Sequence, residues 1–174
     1  MSDSRLNIQI RKLIDPDFNL VNEFIETQIL TIPKDFFFPP STTIIKKSLN
    51  NDSGISHGAF DNDKLIGIRL TYKPGLDTEN HGYDLNYDDR QLNQVAQFHG
   101  TLILDNKRYK GIGNRLVSEN VSSIFNGFAN IILATVNPDN ETSIRMLEKN
   151  GFDRKVRTLK YINLPRLIFE KRSV

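Results

Sequence analysis

Two glycines separated by one residue and flanked by basic side chains are the residues of this sequence best suited to bind an anion. They lie in residues 108–114, between the apolar run 101–104 and an amphipathic stretch. That order predicts a strand, a tight loop and a helix. Unpaired N–H groups and the dipole at a helix start both favour negative charge. We therefore predict a phosphate-binding loop made of Arg108, Tyr109, Lys110, Gly111, Ile112, Gly113 and Asn114.

The spacing of the glycines narrows the kind of phosphate ligand. A P-loop needs Gly-x-x-x-x-Gly-Lys followed by Ser or Thr, and the sequence contains no such string. A dinucleotide-binding loop needs a third glycine, but Leu116 occupies that position. What remains is the pattern Arg-x-x-Gly-x-Gly after a strand and before a helix. The pattern disfavours ATP and NAD, which stay as alternative ligands.

A second segment, residues 137–152, predicts a short and well-capped helix. Asn140 is a good N-cap, and Ile144 and Leu147 form one apolar stripe. Gly151 supplies the left-handed residue that ends such a helix.

The two segments together resemble the cofactor-binding motifs of the GNAT N-acetyltransferase superfamily. The resemblance covers residues 95–152 in detail and implies an α/β fold, with a central mixed, mostly antiparallel sheet of about six to seven strands and helices on both faces. It also implies acetyl-coenzyme A as the co-substrate and no metal. In this family the central strand separates from its neighbour, and the pantetheine arm of the coenzyme inserts into the gap.

The resemblance also implies how this chain would hold the coenzyme. Backbone groups of Ile103 and Leu104 would bind the pantetheine, and residues 108–114 would bind the pyrophosphate. Asn140 and Ser143 would approach the pantetheine from the opposite side. Helix capping is an equally good interpretation of Asn140, and a solvated helix position is an alternative for Ser143.

The implied reaction is transfer of acetyl to a primary amine of a small molecule or a peptide, by direct attack through a tetrahedral intermediate. Many relatives carry a tyrosine acid four positions before Gly151, where this chain has Leu147. Some carry a glutamate base where this chain has Gln97. His99 shares a strand face with Gln97 and could titrate near neutrality, so both are our candidate catalytic residues. A hydrogen-bonded sheet histidine is the alternative for His99.

The missing tyrosine and glutamate keep a second function open. In that alternative, the chain is a catalytically weak or inactive acyl-coenzyme A-binding or regulatory module with the same fold.

Two segments are candidates for the acceptor side. Residues 36–40 carry three consecutive phenylalanines, which would either contact an apolar acceptor or anchor their loop on the core. Residues 77–89 carry five carboxylates and two tyrosines. Such a segment would attract a cationic amine if it lay at the site, and a solvated surface loop predicts the same composition.

Composition limits the remaining possibilities. The length of 174 residues predicts a single domain, residues 1–174, and the apolar fraction of 38% is typical of a globular protein. The absence of cysteine excludes disulfides and a cysteine acyl-enzyme, and favours a cytoplasmic location. A net charge of +2 gives no reason to expect a nucleic acid partner, and no apolar run is long enough for a membrane span. The oligomeric state stays open, with a homodimer as one option.

The elements that would position these residues follow from apolar periodicity and caps. We predict helices starting near residues 15, 41, 114 and 140, and a long polar excursion over residues 73–92. Pro165 is expected in a turn or on an edge strand. Predicted strands cover residues 7–12, 55–60, 64–72, 95–104, 131–136, 152–162 and 167–171.

Overall fold

The computed structural model describes residues 7–106 and 109–174, which build one mixed sheet of seven strands. The strands lie in the order β1-β2-β3-β4-β5-β7-β6, and every neighbouring pair is antiparallel except β4 and β5. This sheet confirms the predicted fold class. The strands are β1 (Ile8–Leu13), β2 (Ser56–Asp61), β3 (Lys64–Tyr72), β4 (Val95–Ile103), β5 (Ile131–Val136), β6 (Asp153–Lys160) and β7 (Leu164–Arg172).

Residues 7–106 and 109–174 contain five α-helices, and capping side chains explain where several of them begin. The Ser41 side chain accepts a hydrogen bond from the Ile44 N–H, and the Asn140 side chain accepts one from the Ser143 N–H. None of the helices in residues 7–106 and 109–174 is long and apolar enough to cross a membrane. The helices are α1 (Phe18–Gln28), α2 (Thr42–Leu49), α3 (Asp89–Leu92), α4 (Ile112–Phe125) and α5 (Glu141–Lys149), with 3-10 turns at Asp15–Asp17 and His81–Leu85.

Helices cover both faces of the sheet. Side chains alternate between the two faces along each strand, and this alternation decides which helices a residue contacts. The odd-numbered residues of β3 face α4: Gly67 lies against Leu116, and the Thr71 hydroxyl donates to Asn120. The even-numbered Ile68 and Leu70 instead pack in the core cluster that α1 and α2 bury. On the α4 face, Phe98 packs with residues of α4, α5 and β5.

The parallel pairing of β4 with β5 is short. It comprises three residue pairs and ends at Gln97 opposite Leu133. Beyond that point the two strands separate, as the resemblance implies.

A β-bulge in β4 begins just after the last of these pairs. Thr71 of β3 pairs with Phe98, but Arg69, two residues earlier, pairs with Thr101. One extra residue of β4 is thus accommodated at His99 and Gly100, opposite Leu70.

Two local predictions were incomplete or wrong. The polar excursion over residues 73–92 contains a 3-10 turn and α3, both started by capping side chains. Pro165 was expected in a turn or on an edge strand, yet it lies within β7, which is an interior strand. Pro165 pairs with Leu159 of β6, while the β5 partners of β7 begin at Leu167. Its missing N–H therefore removes no hydrogen bond to β5.

The three histidines are buried or partly buried and remain neutral in the fold. Burial lowers the pKa of His81 to about 3 and that of His99 to about 4. Burial also lowers the pKa of His57, whose ring nitrogens face the Asn120 amide at 2.9 Å and the Ser123 hydroxyl at 3.3 Å. The amide group can only donate there, so the ring accepts on that side and carries its proton on the other.

Acid is therefore expected to destabilise the fold. Below the unfolded-state pKa of about 6.5, unfolded histidines bind protons that the folded ones refuse, so stability falls as pH falls toward the folded pKa values. For His81, the loss between pH 7 and pH 5 is about 2 kcal/mol. Urea unfolding of the wild type and of His81→Phe at both pH values measures it. The variant should lose about 2 kcal/mol less than the wild type, and equal losses would contradict the assignment.

Candidate functional site

A cavity of about 640 Å³ occupies the point where β4 and β5 separate. Its walls come from β4, the start of α4, α5, the segment before α2, and the turn between β6 and β7. Most of the predicted site residues meet there, although they are spread over 45 positions of the sequence. The predicted residues that line the cavity are His99, Ile103, Tyr109, Gly111, Gly113, Asn114, Asn140 and Ser143.

Four predicted residues do not appear among the cavity lining. Leu104, Lys110, Ile112 and Gln97 are absent from the described wall. Arg108, a predicted pyrophosphate ligand, lies outside the described residues.

The glycine loop presents backbone rather than side chains. Gly111 caps α4 with φ of 88°, a left-handed conformation that glycine adopts without strain. A Cβ on Gly113 would lie 3.2 Å from the Met146 sulfur, so the helix start is closely approached by α5. The side chains of Tyr109 and Ile112 are buried in a small core cluster, and the Tyr109 hydroxyl donates to the Asp61 carboxylate at 3.1 Å. These two residues can therefore offer a ligand only their backbone groups.

Beyond the bulge, successive residues of β4 direct their backbone groups alternately toward β3 and toward the gap on the β5 side. The Leu104 N–H donates to the Ile66 carbonyl at 2.8 Å, so this group is already used by β3. Because successive residues of an antiparallel strand direct their backbone groups to opposite sides, those of Ile103 face the gap on the β5 side. Of the two predicted pantetheine ligands, Ile103 has the better placed N–H.

The start of α5 supports both interpretations of Asn140. Its side chain caps the helix through the Ser143 N–H at 3.1 Å, and both residues also line the cavity. The same wall carries Arg145 and Lys149, which sequence reasoning did not select. Their spacing of four residues puts them on one helix face, and that spacing was the available signal.

The bulge in β4 is fitted to a phenylalanine from the segment before α2. Gly100 has φ of 106°, and a Cβ there would lie 2.2 Å from Cε2 of Phe37. Phe37 in turn packs against the core cluster under α1 and α2. The phenylalanine segment thus anchors on the core and lines the cavity as well, so both predicted roles are compatible.

The segment before α2 is also held by polar contacts from the far side of the cavity. The Asp35 carbonyl accepts hydrogen bonds from Asn137 at 3.2 Å and from the buried Arg166 at 2.7 Å. Phe38 stacks on Tyr161 with ring centroids 4.4 Å apart, and the Tyr161 hydroxyl lies 3.0 Å from that of Thr135. Sequence reasoning missed Tyr161 because its partners are distant in the chain.

The two catalytic candidates have different surroundings. Gln97 is buried and fully engaged: it accepts from the His81 N–H and donates to the Tyr72 hydroxyl and the Glu79 carbonyl. These contacts support a positioning role for Gln97 rather than a chemical one. His99 lies on the cavity wall, where Nδ1 is buried without a hydrogen-bond partner. Its pKa of about 4 reflects burial first, and then the nearby charge of Arg69.

The acidic segment over residues 77–89 does not reach the cavity wall. Asp84 forms an ion pair with Lys160, and Asp88 caps α3. Tyr83 donates to the Leu76 carbonyl, and the Tyr87 hydroxyl accepts from Arg172. The composition of this segment is explained by contacts within the fold.

Comparison with known proteins agrees with this geometry. Residues 87–161 match the FR47-like protein family. Among curated proteins, none matches the chain by sequence.

Three solved structures share the fold. An acetyltransferase of the GNAT family from Streptococcus pneumoniae aligns over 95% of this chain and 99% of its own, with 18% identity and a TM-score of 0.70. NAA60 from Arabidopsis thaliana, solved with acetyl-CoA, aligns over 95% and 98%, with 18% identity and a TM-score of 0.72. The aminoglycoside acetyltransferase AAC(6')-Ib, solved with coenzyme A and kanamycin, aligns over 95% and 93%, with 20% identity and a TM-score of 0.66.

The chain therefore has the fold of the GNAT acetyltransferases. The resemblance to this superfamily, predicted from two short motifs, is confirmed.

Replacing Gly100 in the bulge tests its close contact with Phe37. Gly100→Ala is expected to destabilise the fold by about 2 kcal/mol or more, because its Cβ overlaps Phe37 and φ is positive. Adding Phe37→Leu should relieve the overlap and recover part of the loss, measured by urea unfolding. Strictly additive losses in the double variant would contradict a direct contact.

Proposed function

We propose that this chain is an N-acetyltransferase that transfers acetyl from acetyl-coenzyme A to a primary amine. The amine belongs to a small molecule or a peptide, and attack is direct, through a tetrahedral intermediate. Residues 1–174 act as one catalytic unit, and the cysteine-free sequence favours the cytoplasm. The observation that carries the proposal is the convergence of the glycine loop, the separated strands and the α5 cap on one cavity.

Different walls of this cavity would bind the successive parts of the coenzyme. Backbone N–H groups at the start of α4 would hold the pyrophosphate, together with Lys110 and, as the resemblance implies, Arg108. The Ile103 backbone, and part of that of Leu104, would bind the pantetheine as an added strand. Asn140 and Ser143 would contact the pantetheine from α5. Ile112, Gly113 and Asn114 contribute backbone groups, since the Asn114 side chain already accepts from Asn150 at 3.2 Å.

The reaction needs a neutral amine and a stabilised oxyanion. His99 is the base we assign, because it lies on the cavity wall beside the bulge and is neutral at pH 7; its pKa of about 4 makes it a weak base until a change in its surroundings raises that pKa. It takes the proton that the amine loses on attack at the thioester carbon. A backbone N–H of β4 stabilises the oxyanion, and collapse of the intermediate expels the thiolate of coenzyme A.

The missing tyrosine acid does not prevent this reaction. Leu147 is buried on the cavity wall at the corresponding position and has no proton to give. A thiol has a pKa of about 8.5, so a thiolate leaves without prior protonation far more readily than an alkoxide or an amide would. Solvent then protonates it.

A second candidate is a coenzyme-binding module without turnover, and Leu147 is the observation that favours it. Titration calorimetry with acetyl-coenzyme A, ATP and NAD addresses the cofactor, and thiol release with polyamines, aminoglycosides and peptides addresses turnover. Micromolar binding of acetyl-coenzyme A with turnover of an amine supports the acetyltransferase. Binding without turnover favours the module, and tighter binding of ATP or NAD would refute both.

The two glycines at the ends of α4 offer a matched test of the loop. Gly111 and Gly127 have φ of 88° and 94°, and a Cβ on either would meet nothing within 4 Å. Each Gly→Ala change should destabilise the fold by about 1 kcal/mol. Only Gly111→Ala should also weaken acetyl-coenzyme A binding, by about tenfold or more, measured by calorimetry. Equal affinities in the two variants would contradict the loop's role.

Replacing His99 tests the proposed base. His99→Gln should lower kcat by about a hundredfold or more while leaving acetyl-coenzyme A affinity within a few-fold of the wild type. His57→Gln serves as the control, because His57 is buried against α4 through Asn120 and Ser123. It should lower stability without lowering kcat. Unchanged kcat in His99→Gln would remove His99 from the mechanism.

A further inference from the structure

Arg69 of β3 is a buried cation whose charge no carboxylate of residues 7–106 and 109–174 balances. Its side chain is 3% exposed, and burial lowers its pKa well below the usual range, with no acidic residue acting against that shift. One guanidinium nitrogen donates to the Thr101 hydroxyl, whereas Nε and Nη2 are buried and have no hydrogen-bond partner among the residues that the structure describes. Such a group costs stability unless something completes its hydrogen bonds.

Arg69 lies in the wall of the cavity where we propose that acetyl transfer takes place. Arg69 lies on the α4 face of the sheet, and its guanidinium carbon is 3.2 Å from the centre of the Phe98 ring. Phe98 and Thr101 flank the bulge, and Phe98 directly follows the last β4–β5 pair. Arg69 also lines the cavity, as does His99, whose pKa its charge lowers. Arg69 and His99 therefore belong to the wall of the same cavity.

The rest of the described wall offers no compensation. Its charged residues are Arg69, Arg145, Lys149 and Arg166, and no aspartate or glutamate is among them. Arg166 differs from Arg69 because it donates to two backbone carbonyls, those of Pro165 and Asp35. Arg145 and Lys149 lie on α5, at the coenzyme end. The unsatisfied positive charge is concentrated at Arg69.

We propose that Arg69 binds a carboxylate of one of the two substrates, so that the favoured substrate pair carries an acidic group close to the reacting centre. This inference rests on the proposed acyltransferase function and adds its substrate class. The carboxylate has two possible sources. It belongs either to the amine acceptor, as in an amino acid or an acidic peptide start, or to the acyl group, as in malonyl- or succinyl-coenzyme A.

A bound carboxylate would also act on the base. It would offset the Arg69 charge that lowers the pKa of His99, so binding of the acidic substrate would make His99 a stronger base. An acidic substrate would therefore have a higher kcat as well as a lower KM.

The experiment has two arms with matched probes. The acceptor arm compares kcat/KM by thiol release for phenylalanine against phenethylamine, lysine against cadaverine, and an Asp-initiated against an Asn-initiated tripeptide amide. The donor arm compares calorimetric affinities for succinyl- and butyryl-coenzyme A, and for malonyl- and propionyl-coenzyme A. In at least one arm, the acidic member should be preferred by about 10- to 100-fold.

Arg69→Met should abolish that preference, measured as the ratio of the acidic to the uncharged probe within each pair. Arg69→Lys keeps the positive charge but has fewer donors, so it should retain part of the preference for the acidic probe. It takes the place of Arg69→Met in the test if the methionine variant fails to fold. Arg11→Met is the matched control: Arg11 also stacks on a ring, that of Phe60, but pairs with Asp17. It should keep the full preference.

The outcomes separate this inference from the function on which it rests. Preference for the uncharged member in both arms, or a preference that survives Arg69→Met, would overturn the role of Arg69. Acetyl-coenzyme A binding with turnover of uncharged amines would then leave the acyltransferase proposal standing. Failure of the wild type to bind any acyl-coenzyme A would refute both.

Discussion

The separation of β4 from β5 after three residue pairs is the constraint on which the rest of this structure depends. A parallel pair that stops early leaves backbone N–H and C=O groups without sheet partners, and buried groups of that kind must be satisfied by something else. The bulge at His99 and Gly100 adds one residue to β4 at the same place. The gap is therefore a built feature, with an edge of main chain that an extended ligand can complete as a strand would.

Long-range contacts hold the gap open on its acceptor side. Arg166 of β7 donates to the Asp35 carbonyl across 131 residues of sequence, and Phe38 stacks on Tyr161. Phe37 fills the space that a side chain at position 100 would need. These contacts fix the wall opposite the glycine loop, so the cavity is largely formed before any ligand binds. Preformed walls reduce the ordering that binding would otherwise require.

The half of the cavity formed by the glycine loop and α5 could be predicted from sequence because its signals are local. Gly111, Asn140 and Gly151 act within one turn of their own helices, and β5 is a continuous apolar run at the predicted bounds. The opposite half, built around the bulge and the phenylalanine segment, could not be predicted in the same way. The bulge, the engagement of Gln97 and the isolation of Arg69 all depend on which strands pair and in what register. The two alternatives for the acidic segment could not be separated from sequence for the same reason, since the partner of Asp84 is 76 residues away.

Hydrogen exchange of the backbone amides, with and without acetyl-coenzyme A, tests the central claim that the gap between β4 and β5 holds the coenzyme as an added strand. The account predicts slower exchange at Ile103 and in the first turn of α4 together, with little change in β1 and β2. Protection limited to the start of α4 would mean that a phosphate binds there without insertion between the strands. That result would contradict the account.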